Sequence, residues 1–289
     1  MKNTASILRT ALEILWRAAV FLLAFGLISA VFLVPFTSRL DEWAVAFPMR
    51  VRLYYDTAGA VAILIATGIM TRFVDHRRFV SIGFEHQHVL RDLAAGLALG
   101  IFWLALSVTV LWAFGWLSQN ASVAMSGSLL LGSAISVFLN VVTQQLLLCG
   151  YILQTIRFRA DFPVALLVSA ALFAGYHAGA FQGAWLPAVN VFSAGVLFCL
   201  AYGVSGNLWL PVSVHFAWNF LLGPVLGLTV SGTGDMGLGW RVFSVQGPEL
   251  FTGGAFGVEG GLVVTLTTAI LIVALALIRS KLKAIAAQR

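Results

Sequence analysis

Apolar runs of about twenty residues, bounded by charged or glycine-rich stretches, recur eight times along this 289-residue chain. A hydrocarbon core about 30 Å thick is crossed by roughly 20 helical residues rising 1.5 Å each, so runs of this length read as membrane helices. They are about Ala18–Phe36, Thr57–Arg72, Ala94–Leu117, Ser128–Gln154, Pro163–Phe181, Leu186–Val204, Asn207–Leu226 and Gly261–Ile278. With 60% hydrophobic and 10% charged residues and a mean hydropathy of +0.96, a water-soluble globule is excluded. The fold class expected is therefore all-α, a polytopic membrane bundle of about eight helices forming a single integral membrane domain over residues 1–289, with no internal repeat. The first run reads as an anchor, because a cleaved signal peptide has an apolar core of only about 7–15 residues. Cys149 and Cys199 both fall inside apolar runs, so no disulfide framework is expected.

A net charge of +6 would suggest nucleic acid in a soluble chain, but here it has a topological meaning and no nucleic-acid partner is expected. Lys2, Arg9, Arg72, Arg77, Arg78, Arg91, Arg157, Arg159, Arg279, Lys281, Lys283 and Arg289 fall on one side of the eight-span arrangement. Arg39, Arg50, Arg52 and Arg241 fall on the other, and Arg17 lies one turn from Glu13 at the first helix. Basic loops stay cytoplasmic, so both termini are expected there, in a bacterial-type plasma membrane. The polar stretch 73–91, with His76, His86 and His88, reads as a solvated cytoplasmic connection. Residues 229–260, rich in Gly and holding Asp235, Arg241, Glu249 and Glu259, read as a long loop on the far side, able to act as a lid.

Polar side chains inside a bilayer are costly and usually mark function. The fourth run carries Asn140, Thr143, Gln144 and Gln145, the fifth His177, the sixth Asn190, and the seventh His215 and Asn219. Counted along the helices, Gln144 lies about 20 Å from Arg157, His177 about 21 Å from Pro163 and His215 about 12 Å from Asn207, depths that let them share a cavity. Phe173 and His177 share a helix face, as do His215 and Asn219. For a lone Asn or Thr, a helix–helix hydrogen bond of about 0.6 kcal/mol is the simpler account. Two histidines at compatible depth favour a site.

Phe173-Ala-Gly-Tyr-His177 followed by His215-Phe-Ala-Trp-Asn219 resembles the second and third motifs of the CAAX prenyl protease and bacteriocin-processing family, also called the type II CAAX prenyl endopeptidase or Abi family. The approach Gly206-Asn-Leu-Trp-Leu-Pro211 and Gly150 are similar too, and the resemblance covers about residues 125–225. It implies an intramembrane endopeptidase that cuts near a substrate C-terminus, with the first motif and the second-motif His activating water and the third-motif His and Asn stabilising the oxyanion. The implied site is Gln144, Gln145, His177, His215 and Asn219. The implied partners are a peptide or lipidated protein tail and the lipid bilayer.

The first motif departs from the family. Where the pattern is Glu-Glu-x-x-x-Arg, this chain has Gln144-Gln145-Leu-Leu-Leu-Cys149. A carboxylate in a dry site can be tuned to take a proton, whereas a neutral amide cannot, although Gln keeps the shape and hydrogen-bonding ends of Glu. Between Asp92 and Asp235 the only acid is Asp161, at a cytoplasmic loop, so no replacement carboxylate is expected nearby. Loss of the Arg with both acids is concerted, because a buried guanidinium without its counter-charges is destabilising. The expectation is a pseudoprotease with proteolysis lost or strongly reduced. The rivals are His177 acting as sole base, a non-catalytic scaffold or immunity-type protein, and a transporter, which the missing repeat disfavours. No cofactor is expected, and no metal: no His-Glu-x-x-His stretch exists, and Cys149, His177 and His215 have no diagnostic spacing.

Overall fold

The computed structural model describes residues 4–85, 87–120, 126–233 and 242–288. Lys2, His86, Asp235, Arg241 and Arg289 lie outside the described residues. The chain forms α1 (Thr4–Leu33), α2 (Thr37–Ala46), α3 (Pro48–Ile69), α4 (Val89–Ala113), β1 (Leu117–Gln119), α5 (Gly127–Gln145), α6 (Leu153–Arg157), α7 (Phe162–Tyr176), α8 (Trp185–Ser205), α9 (Trp209–Phe220), β2 (Phe243–Val245), α10 (Glu249–Thr252) and α11 (Leu262–Ala287). It is an all-α polytopic membrane protein with one two-stranded ribbon. Leu15, Leu23, Leu27 and Val31 of α1 stay exposed, as side chains facing lipid do.

Among the described residues, six segments are long and apolar enough to cross a bilayer: Ala5–Leu40, Pro48–Val74, Val89–Ala113, Gly127–Arg157, Trp185–Ser205 and Leu262–Ala287. The other two expected spans are shorter helices. α7 has 15 residues, about 22 Å, and breaks at His177 into a tight turn over Ala178–Ala180. α9 has 12 residues and gives way to a widened turn at Leu221–Val225, where Pro224 lacks the N–H needed to continue the ladder. A similar widened turn, Leu146–Ile152, follows Gln145 directly. Such π-type turns are frequent at functional sites. The second span starts earlier than expected, so Arg50 and Arg52 lie within α3 rather than in a connection.

The helix carrying His215 and Asn219 is held at its start by the Gly206–Pro211 segment. Gly206 closes α8 in the left-handed region at φ 75°. The Asn207 side chain accepts from Trp209 N–H at 3.0 Å and donates to the buried Asp92 carboxylate at 2.5 Å. Pro211 sits in the first turn, where its missing N–H costs nothing.

α4 then packs closely along α9. A Cβ on Gly96 would meet Leu210 O and Ser213 Cβ at 2.6 Å, and one on Gly100 would meet Ala217 Cβ and Val214 O at 2.7 Å. Gly96-x-x-x-Gly100 is thus a small-residue seam that lets two membrane helices touch backbone to backbone. One turn further along, Trp103 stacks on Trp218 with ring centroids 3.7 Å apart.

The described part of the 229–260 segment folds back on the bundle. β2 pairs antiparallel with β1, Ser118 opposite Ser244, and Gly232 N–H bonds Phe256 O at 3.1 Å. Gly253, at φ 86°, would drive a Cβ to 1.8 Å from Gly257 O, so this fold of the segment requires glycine there.

Candidate active-site cavity

Phe173 and His177, four residues apart, are in ring contact at 4.7 Å. His177 Nδ1–H donates to Phe173 O at 2.9 Å, which leaves Nε2 as the lone-pair end of the ring. His215 is buried at 4% exposure and stacks on Phe198 at 4.5 Å. The Asn219 amide nitrogen lies 3.1 Å from His215 Nε2, and the Gln145 amide nitrogen lies 3.1 Å from His215 Nδ1. A neutral imidazole carries one N–H and one lone pair, so it accepts only one of these bonds. Turning the Gln145 amide about its last torsion puts Oε1, otherwise without a partner, on Nδ1–H and leaves Nε2 to accept from Asn219. Gln145 therefore orients His215 from behind.

A polar cavity of about 280 Å³ lies beside this pair, lined among others by Arg52, Asn140, Gln144, His177, Asn219 and Ser231. An inner cavity of about 30 Å³ shares His177, Asn219 and Ser231 with it and adds His215, Trp218 and Glu259. Gln144, His177, His215 and Asn219 thus meet at two adjoining hollows, while Gln145 lines neither. Gln144 Nε2–H donates to Asn140 Oδ1 at 2.6 Å, and Asn140 Nδ2–H donates to Asp56 Oδ1 at 3.0 Å. The other Asp56 oxygen accepts from the Ser136 hydroxyl and lies 3.7 Å from Arg52 Nε.

Asn190, grouped with the site residues by its polarity, lies elsewhere. Its amide donates to Glu259 O at 2.7 Å and Gly261 O at 3.0 Å, tying α8 to the start of α11. Thr143 returns its hydroxyl to Leu139 O at 2.9 Å. Cys149 and Cys199 are buried free thiols. Among the described residues, no group of three or more His, Cys, Asp or Glu side chains is placed to hold a metal ion.

The expectation that no carboxylate lies near the cavity is overturned twice. Asp56 was legible in principle, since an acid one turn from Arg52 inside an apolar run is the usual mark of a buried polar site. Glu259 had no local signal. It reaches the inner cavity because the glycine-rich segment folds back, with Oε1 accepting from Trp218 Nε1–H at 2.7 Å and Oε2 from the Ser231 backbone N–H. Burial pushes its carboxyl above the usual range, against the pull of these donors.

Residues 126–221 match the family model of the type II CAAX prenyl endopeptidases, Rce1-like. The match runs from the start of α5 to just past Asn219 and so spans every motif position in the cavity. No curated protein and no solved structure matches the chain. Over this segment, about a third of the chain, the protein is similar to the Rce1-like type II CAAX prenyl endopeptidases.

Proposed function

We propose that the chain is a CAAX-type intramembrane endopeptidase homologue whose outer cavity receives a peptide or lipidated protein tail, and whose Gln144–Gln145 pair no longer performs the proton transfer of two glutamates. One observation carries the binding role. Gln144 Oε1, on a residue lining the 280 Å³ cavity, is buried without a hydrogen-bond partner among the described residues. A buried acceptor left unpaired costs about 1–3 kcal/mol, and a peptide N–H arriving in the cavity removes that cost. Asn219 has a second amide N–H beyond the one on His215, suited to a substrate carbonyl.

The amide at position 144 supports the catalytic half of the reading. It donates to Asn140 and does not titrate near neutral pH, so it can position water or peptide but cannot accept a proton. Equilibrium binding of fluorescent prenylated and unprenylated C-terminal peptides to the purified chain in nanodiscs tests the proposal. Saturable binding that weakens about five- to tenfold in Gln144→Leu is expected, corresponding to about 1–1.4 kcal/mol. Binding unchanged by that substitution counts against the cavity as the tail's seat.

A further inference from the structure

Tail binding leaves the carboxylate of the inner cavity unused. Glu259 is only partly buried and lines the same hollow as His177, His215 and Asn219. Its carboxylate accepts from Trp218 Nε1–H, from the Ser231 backbone N–H and, at 3.4 Å, from the Ser231 hydroxyl. A carboxylate offers about four acceptor positions, so one remains. The hollow, about 30 Å³, has room for one water, which needs about 10–15 Å³ of such volume. Among the described residues, Glu259 is the one carboxylate lining either hollow, and no Lys or Arg lines the inner one. Ser231 sits in the left-handed region at φ 48°, unusual for a residue with a side chain, and its N–H meets Glu259 from that conformation.

We propose that Glu259 is the general base of this cavity, replacing from the loop the carboxylate that position 144 has lost, so that the chain hydrolyses the peptide tails it binds. The proposal rests on the reading that such a tail occupies the adjoining outer cavity. Water in the inner hollow attacks the scissile carbonyl carbon as its proton passes to Glu259. A C–O bond forms, and the carbonyl π pair becomes an oxyanion that accepts the free Asn219 N–H. On collapse the C–N bond breaks, the leaving amine takes the proton back from Glu259, and the products are a carboxylic acid and an amine. His177 Nε2, whose lone pair is fixed by the Nδ1–H bond to Phe173 O, orients the water. Burial raises the Glu259 carboxyl, bringing it nearer to a working range for taking and returning a proton. The titratable groups facing it are His177 and His215, and Arg52 faces the outer cavity.

The full chain in nanodiscs, with the same labelled peptides, gives binding and cleavage side by side across pH. Wild type is expected to cleave, with a rate that rises with pH through a midpoint above the usual glutamate value of about 4.3. Glu259→Gln is expected to lower cleavage by at least about a hundredfold while binding stays within about threefold. Ser231→Ala, which removes only the long hydroxyl contact, is expected to move the midpoint upward, a shift that a purely structural carboxylate would not produce. If Glu259→Gln does not fold, Glu259→Asp and the Ser231→Ala profile carry the test. Cleavage in Glu259→Gln above a tenth of wild type, an unmoved Ser231→Ala midpoint, or binding by wild type with no cleavage at any pH overturns the proposal alone. Failure of every peptide to bind overturns the binding reading and this proposal with it.

Discussion

Gln144 differs from glutamate by one atom, and its surroundings decide what restoring that atom would do. Its amide donates to Asn140, which donates in turn to Asp56, and Arg52 borders both Asp56 and the cavity. A carboxylate at 144 would therefore share a hollow with a guanidinium. The chain needs no arginine at position 149, where the Cys149 side chain has no exposed surface and a guanidinium would have no room. In the Glu259→Gln background, Gln144→Glu is expected to recover about a hundredfold in peptide cleavage, the lower end of what a positioned general base contributes, and adding Cys149→Arg is expected to lose folded protein rather than gain rate. Rates with and without Cys149→Arg at equal folded concentration check this; a faster rate with it would show that Arg52 does not serve. Gln145 works differently, since among the described residues its side chain's hydrogen-bond partner is His215. Gln145→Leu strands a buried imidazole nitrogen, so about 1–3 kcal/mol of stability should be lost, read as a lower thermal midpoint in detergent.

At the scale of elements, the seam between α4 and α9 places the catalytic-type residues. Gly100→Ala puts a methyl group 2.7 Å from Ala217 Cβ and Val214 O, and overpacking of this kind costs about 1–3 kcal/mol. Gly68 of α3 has nothing within 4 Å of its added Cβ, so Gly68→Ala should be neutral or stabilising by up to about 1 kcal/mol. Opposite shifts in thermal midpoint are the expected result. Two equal shifts would mean that the seam is looser than the structure has it. The motif residues were legible because a helix places residues four apart on one face. His215 and Asn219 are such a pair, and so are Phe173 and His177. The number of full crossings was less legible, because an apolar run need not be a continuous helix, and Pro224 ends α9 inside one. Glu259 was not legible at all. Its position follows from the left-handed glycines at 253 and 257, which route the chain back to Trp218, a path that no periodicity encodes.

At the scale of the whole molecule, the cavity and most of the basic residues lie at opposite helix ends, Arg52 being an exception that lines the cavity. α7 starts just after Arg157 and Arg159 and ends at the cavity with His177, while α3 starts near the cavity with Arg52 and ends beside Arg72. α11 likewise leaves the 229–260 segment and finishes with Arg279, Lys281 and Lys283. Translocating Lys and Arg is disfavoured, so the basic end is expected in the cytoplasm and the cavity mouth in the opposite leaflet. Thr233, which lines the outer cavity, offers a reporter, because the two native cysteines are buried. In intact cells, Thr233→Cys should react with a membrane-impermeant maleimide, and reaction should fall when a binding peptide is supplied from outside. A cysteine replacing Arg78, in the basic connection, should react only after the membrane is opened. The reverse labelling pattern would put the cavity on the cytoplasmic side, and would then favour tails of cytoplasmic proteins over exported peptides as its ligands.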